Sequence, residues 1–350
     1  MPPRSRNPVL VAWLLTFAVV LVACSGSSTG AAPGASSSSA DGIQIATLTP
    51  TPPELQVPAS PSAQPSQPSA TATAEPMTPT REPPSAVLAG LAFQPPVMRQ
   101  GGFSVVFLHE AALNATLSFG GLQFPMLQDG DSWWAVVGVG AFAEPGLAPL
   151  SVAYTPADGG DIVSIAQSIE IVSHDYPVEN IDLDAETAAL LDPDIVNNEL
   201  AIRAGVLSGY TASQMWSGAF VRPTEGVVSS IYGVARSYNN GPVTSYHHGT
   251  DFVGEIGDPV VAAADGVVVF AAELQVRGNT VMIDHGAGVF TAYNHLSALN
   301  VAEGEVVTAA QLIGAIGSTG LVTGPHLHWE VVTRNVEVDG ELWLEGAVGP

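Results

Sequence analysis

Lysine is absent from this 350-residue chain: all nine basic residues are Arg, against 33 acidic ones, for a formal charge of −24. Phosphate backbones are bound through clustered cations, so nucleic acid is a poor partner, and an anionic lipid surface would repel the chain. Any membrane attachment must therefore be hydrophobic. Cysteine is reduced to one residue, Cys24, which excludes an internal disulfide framework and any Cys-based zinc finger. Charged residues make up only 12% against 46% apolar ones, so a sizeable core is available and wholesale disorder is excluded. The length allows two or three domains. Histidine is not scarce. There are eight, and six of them lie between His247 and His328.

Arg4 and Arg6 precede an apolar run over residues 9–23, which is short for a membrane span and right for the apolar stretch of a signal peptide. The run ends Leu21-Val22-Ala23-Cys24, followed by Ser25-Gly26-Ser27. This resembles a bacterial lipobox, in which the Cys is lipidated and becomes the mature N-terminus. The resemblance implies that residues 1–24 are a lipoprotein signal, that Cys24 carries a lipid anchor into a membrane, and that the protein works outside the cytoplasm, in the cell envelope. Residues 25–86 are Ser, Thr, Pro, Ala and Gly with isolated apolar residues, too few to offset ordering entropy, and read as a disordered tether. As a flexible coil it would reach roughly 40–45 Å.

Beyond the tether the chain reads as mainly β. Residues 87–175 hold short strands near 103–108, 115–119, 133–137, 150–154 and 162–172, separated by turn residues, a spacing that predicts a small β-sandwich-like domain. Its His109 and His174 are isolated and read as structural. Residues 176–222 shift to helix and form a short connector. Asp184 can cap 185–191, and Asp194 precedes a second helix over 195–206, ended by Gly209. The alternation of Asp182, Asp184 and Glu186 faintly suggests a calcium loop, but the required Gly and distal Glu are missing. Residues 223–345 return to β texture. Residues 259–269 read strand, tight turn, strand, and 280–284 and 289–293 pair around Gly286-Ala287-Gly288. This pattern predicts an antiparallel β domain.

Two local patterns in that domain carry chemistry. In His326-Leu327-His328 the two imidazoles share one strand face while Leu327 faces the core. In His247-His248-Gly249-Thr250-Asp251 the outer residues, four apart, share a face if the segment is extended, and Gly249 permits a kink. Two His and one carboxylate are a known zinc set that leaves a fourth position open for water. His248 alternates with its neighbour and faces away. His285, before a Gly-x-Gly turn, reads as structural.

Four blocks together resemble the M23 (lysostaphin and LytM type) zinc metallopeptidases. They are His247-His248-Gly249-Thr250-Asp251-Phe252, Gly278-Asn279-Thr280-Val281-Met282-Ile283-Asp284-His285-Gly286, Tyr293-Asn294-His295-Leu296-Ser297, and the run from Gly320 through His326-Leu327-His328-Trp329-Glu330. The resemblance covers residues 223–345 and implies a single Zn2+ held by His247, Asp251 and His328. It further implies two catalytic His, His295 and His326. One would exchange protons with the attacking water and the leaving amine, and the other would stabilise the oxyanion, without a way to say which does which. A Tyr that hydrogen-bonds the reacting carbonyl falls near Tyr238 or Tyr246, with Tyr238 the closer candidate. The family implies hydrolysis of peptide bonds in peptidoglycan, in stem-peptide cross-links or bridges, during cell-wall remodelling. The alternative is a non-catalytic LytM-like regulator with an envelope protein partner, a separate cell-wall amidase that it activates. Degenerate members of that kind usually lack zinc ligands, whereas all five positions are intact here.

Overall fold

The structure, a computed structural model, describes residues 90–350. The expected signal segment with Cys24, the expected tether and residues 87–89 lie outside the described residues. The expected mainly β architecture is what the described residues adopt.

The first segment is two facing sheets. One runs β1 (Leu91–Gln94), β3 (Phe103–Leu108), β7 (Ser132–Gly138), β6 (Leu127–Asp129). The other runs β2 (Val97–Arg99), β9 (Val163–Val172), β8 (Gly146–Pro156), β4 (Ala112–Phe119), β5 (Leu122–Pro125). Strand β9 alternates as a strand with one wet face should: Ile165, Ile169 and Ile171 turn inward while Ala166, Ser168 and Glu170 are exposed. Strand β7 does not alternate. Trp133, Ala135 and Val137 enter the sandwich core, while Trp134 and Val136 join a second core that contains Trp216, Phe252 and Trp329. A run that is apolar on both faces is a strand buried on both faces. At about 1.5–3 kcal/mol for each large side chain buried, this contact holds the sandwich firmly to the C-terminal β domain. Gly138 sits in it, where a β-carbon would collide with Thr333 and Val338. Arg99 adds an ion pair to Asp339 at 2.5 Å.

The connector is stitched in along its length. Strand β10 (Val178–Ile181) pairs parallel with β12 (Ala235–Tyr238), which pairs with β13 (Val243–Tyr246). Asp184 caps α1 (Ala185–Ala188), accepting from the Thr187 N–H at 2.8 Å, and a 3-10 turn completes the expected 185–191 stretch. The second helix, α2 (Pro193–Leu207), begins earlier than expected. Asp192 rather than Asp194 is its cap, accepting from the Asp194 N–H at 2.9 Å, because Pro193 suits the first helical position.

The main sheet runs β11 (Val227–Ser230), β14 (Thr250–Val253), β22 (His326–Thr333), β18 (Val289–Leu296), β17 (Gly278–Gly286), β16 (Gly266–Leu274), β20 (Val306–Val307), with β23 (Val336–Val338) beside β22. A smaller sheet joins β15 (Pro259–Val261), β21 (Leu312–Ala315) and β19 (Ala298–Leu299). The 259–269 reading is corrected in one respect: β15 and β16 go to different sheets and do not pair with each other. A short helix, α3 (Glu341–Leu344), closes the domain and buries Trp343. Among the described residues no helix is long and apolar enough to cross a membrane.

The main sheet has two unlike faces. Val281, Ile283, Tyr293, Leu327, Trp329 and Val331 turn to the core shared with the sandwich. Met282, Phe290, Ala292 and Val332 turn the other way, toward Leu207 of α2. His285 is inside the domain, fully buried. Its Nδ1 donates to the Asp265 carbonyl at 2.8 Å and its Nε2 accepts from the Thr291 hydroxyl at 2.8 Å, so both ring nitrogens are spent on structure.

Burial lowers the His285 pKa to about 4. The unfolded residue titrates near about 6.5, so between those values the unfolded chain takes up a proton that the folded one refuses. The stability contribution is complete above pH 6.5 and falls as pH drops toward 4, by up to about 1.4 kcal/mol per pH unit. Urea unfolding across that window should show a shallower pH dependence for His285→Gln than for wild type. Identical slopes would mean that His285 is not held neutral.

Candidate metal centre and active site

The site lies on the face of the main sheet that looks toward α2, and strand register assembles it. Asp251 of β14 sits opposite His328 of β22, and Asn294 of β18 opposite the same His328. His247 follows β13. Its backbone is anchored to Val234 and Gly233 before the chain bends at Gly249 into β14. A β-carbon at Gly249 would collide with the Trp329 carbonyl, so only Gly lets this bend lie against β22.

Three ligand atoms converge. His247 Nε2 lies 3.0 Å from Asp251 Oδ1, His328 Nδ1 lies 2.8 Å from the same oxygen, and the two nitrogens are 2.8 Å apart. Among the described residues this trio is the group able to hold a metal ion. Hydrogen-bond partners assign the tautomers. His247 Nδ1 donates to the Ile231 carbonyl at 2.8 Å, and His328 Nε2 donates to Glu330 Oε1 at 2.9 Å. Both lone pairs therefore point inward beside a carboxylate oxygen. Three acceptors so arranged call for positive charge between them, and a divalent ion with N and O ligands meets that demand.

The titration behaviour of His247 and Asp251 agrees. Burial lowers the His247 pKa to about 4, so the ring is neutral, as a ligand must be. Burial alone would raise Asp251, but His247 and His328 beside it more than offset this and hold it well below the usual carboxylate range. Burial also pulls His328 down, yet Asp251 and Glu330, one on each ring nitrogen, raise it overall. Arg236 of β12 donates to the second Asp251 oxygen at 3.2 Å, leaving Oδ1 to face inward.

The two remaining imidazoles flank this trio. His326 Nδ1 donates to the Gly324 carbonyl at 2.8 Å, and its Nε2 lies 3.7 Å from Asp251 Oδ1. His295 Nδ1 donates to the Thr319 carbonyl at 2.8 Å. The ring centroids of His295 and His326 are 4.8 Å apart, and those of His295 and His328 5.9 Å. Burial lowers both pKa values, so each ring is neutral with a free Nε2 able to accept a proton. His295 arrives by an irregularity. Asn294 and His295 together oppose Thr280, a β-bulge, and His295 has φ +64°. By plain alternation His295 would share the Tyr293 face, the core side. The bulge turns it to the side of His328, and the strained backbone sits where chemistry is concentrated.

These groups line a cleft of about 910 Å³, walled by β10, the α1–α2 region and the Leu321–His326 loop. Tyr238 from β12 and Tyr246 from β13 both line it; Tyr246 is half-buried against Tyr232, burial pushing its pKa up to about 12. His248 turns away to Glu337, at 3.7 Å. His109 and His174 lie in the sandwich segment: the first touches Ser132 and the second meets Tyr176 edge to face. Sequence reasoning assigned no role to Glu330, Arg236 or Arg277. Glu330 was open to the same argument as the His pair, since it lies two residues beyond His328 on one strand face. The arginines reach the site from distant segments and carry no local signal.

Residues 245–340 match peptidase family M23. The chain carries an M23 peptidase domain. In curated relatives the likeness covers about a quarter of this chain. It is 47% identical over 93 residues to the peptidoglycan DD-endopeptidase ShyA of Vibrio cholerae, covering 27% of this chain and 22% of that one. It is 51% identical over 84 residues to the DD-carboxypeptidase/endopeptidase Mpg of Neisseria meningitidis, covering 24% and 19%. The chain thus spans about a fifth of the length of these relatives. A Pseudomonas aeruginosa crystal structure described as a peptidase M23 matches more broadly, with TM-score 0.52 and 27% identity over 71% of this chain and 94% of that one. That match takes in more than the M23 domain.

If His247, Asp251 and His328 form the metal centre, His328→Ala or Asp251→Asn should leave less than stoichiometric divalent metal after dialysis. Far-UV circular dichroism should stay β-rich, because Leu327 and Trp329 pack on the opposite face. Full metal retention by His328→Ala would refute the ligand set.

Proposed function

We propose that the protein is a zinc endopeptidase that hydrolyses peptide bonds of peptidoglycan, attached to a membrane of the cell envelope through a lipid on Cys24. The observation that carries the catalytic part is the inward-facing His247–Asp251–His328 set with two neutral imidazoles beside it, at the floor of an open cleft. Two His and one carboxylate suit zinc, and with three protein ligands a position stays open for water. Bound there, zinc would act as a Lewis acid toward the attacking water and the scissile carbonyl. The chain's own residues then have defined tasks. Ile231 and Glu330 hold the ligand imidazoles in their tautomers. Thr319 and Gly324 hold His295 and His326 by Nδ1 with Nε2 free, one to take the water's proton and return it to the leaving amine, the other to donate to the developing oxyanion once its Nε2 has taken up a proton from solvent. Tyr238, which lines the cleft, would hydrogen-bond the carbonyl oxygen as well.

A peptide of the wall as substrate is supported by the names of the relatives and by a cleft open enough for an extended chain. The lipobox-like Cys24 and the 25–86 tether support an envelope location within reach of the wall. The complete set of five residues speaks for an enzyme over a regulator that activates an amidase.

Purified full-length protein should release peptide fragments from isolated peptidoglycan, identified by mass, and lose this activity when zinc is chelated. His326→Ala should keep zinc yet turn over about 10²–10⁴-fold more slowly. A wild-type protein that leaves the wall intact but stimulates a cell-wall amidase would favour the regulator instead.

Anchoring is tested separately. Wild type should take up a fatty-acid analogue and fractionate with membranes, whereas Cys24→Ser should take up none. Label on the Cys24→Ser protein, or none on wild type, would replace the lipoprotein reading with a plain signal or anchor sequence.

A further inference from the structure

Helix α2 docks by an unusual stripe. Its buried residues are Glu199, Arg203 and Leu207, spaced four apart on one face, at 3%, 2% and 4% exposure. Helices docked for stability bury an apolar stripe. Here two of the three buried positions carry charge, and buried ion pairs roughly break even against apolar packing. Stability alone does not account for them.

Their contacts lead to the metal centre. Arg203 Nη2 lies 2.5 Å from Glu330 Oε2, and Glu330 Oε1 accepts from His328 Nε2 at 2.9 Å and from Arg277 Nε at 3.0 Å. Glu199 holds the far side of Arg277, at 3.0 Å, and accepts from the Val276 N–H at 2.7 Å. Arg203 also approaches Glu337 at 3.5 Å. Glu330 is fully buried, and its second oxygen has Arg203 as its cation. Without Arg203 that oxygen would be a desolvated anion free to turn, and the bond that fixes the His328 tautomer would turn with it. The M23 match begins at residue 245, so it contains Glu330, Arg277 and His328 but neither Arg203 nor Glu199.

We infer that Arg203, from the connector helix, is a positioning residue of the metal centre, acting through Glu330 to aim His328 Nδ1, so that α2 completes a site the M23 stretch does not complete alone. The inference rests on the zinc reading proposed for this site. Outer partners of metal ligands typically set affinity by about 10–100-fold.

The test uses the full chain, zinc ion, and competition with a chromophoric chelator, alongside the melting temperature of the metal-stripped protein. Arg203→Met should weaken zinc binding by about 10–100-fold, with Arg203→Lys recovering part of the loss. In a Glu330→Gln background, where the route is cut, Arg203→Met and Arg203→Lys should each bind zinc as their Glu330→Gln parent does. Should the Met variant not fold, the Lys variant carries the same comparison in both backgrounds. A lowered melting temperature with unchanged zinc affinity would make Arg203 merely structural and overturn the inference. Equal losses in both backgrounds would overturn the route through Glu330. A wild type that binds no zinc would sink the zinc reading itself, an outcome distinct from wild type and Arg203→Met binding it equally.

Discussion

The site is organised around one imidazole with a carboxylate on each nitrogen. His328 donates to Glu330 on one side and faces Asp251 on the other. In a buried, low-dielectric setting such an arrangement is costly unless every partner is held, because a half-satisfied polar cluster is worse than none. The surrounding structure supplies the holding. Arg203 and Arg277 surround Glu330, Arg236 takes the outer oxygen of Asp251, and a backbone carbonyl takes the outer nitrogen of His247. The centre that remains is three acceptors with a demand for positive charge.

The sheet makes this possible by separating its faces. One face is committed to apolar packing with the sandwich, through Trp329, Leu327 and Tyr293. The other carries Asp251, His328 and Asn294 in one register row across three strands, with Glu330 two residues further along β22. Strand geometry alone would place His295 on the wrong face. The bulge at Asn294-His295 breaks the alternation at the point where a fourth imidazole must cross over. Thr280, opposite the bulge, bonds Asn294 at 3.0 Å and keeps the distortion in place.

The segments before the M23 domain are integrated with it. Strand β7 packs one face into the sandwich and the other into the peptidase core, which excludes a freely hinged arrangement of these two parts. Strand β10 extends a sheet of the domain, and its Glu179 lies 3.9 Å from Arg236 at the cleft. Helix α2 closes the far side. A cleft walled by both connector and domain presents one composite surface to a substrate.

Much of the local structure could be read from the chain. Alternation in 162–172, turn residues around Gly286-Ala287-Gly288, and the cap at Asp184 each have a mechanism that acts within a few residues. So does the shared face of His326 and His328, which comes from the two-residue period of a strand. The four blocks pointed to His247, Asp251, His295, His326 and His328 as a group. The features that stayed illegible depend on contacts between distant segments. The continuous apolar run at Trp133–Val137 hinted at a strand buried twice but named no second partner. Asp192 displaced Asp194 as a cap by a balance between neighbours. Arg203, Arg236 and Arg277 are lone cations in the sequence, and only folding gives each a carboxylate. By itself the sequence determined residue types, periods and turns, because those arise from backbone sterics and local hydrogen bonding. Tertiary structure alone decided which lone pairs meet, which charges are paired and which way His295 turns, because burial and electrostatic partnership exist only between segments brought together.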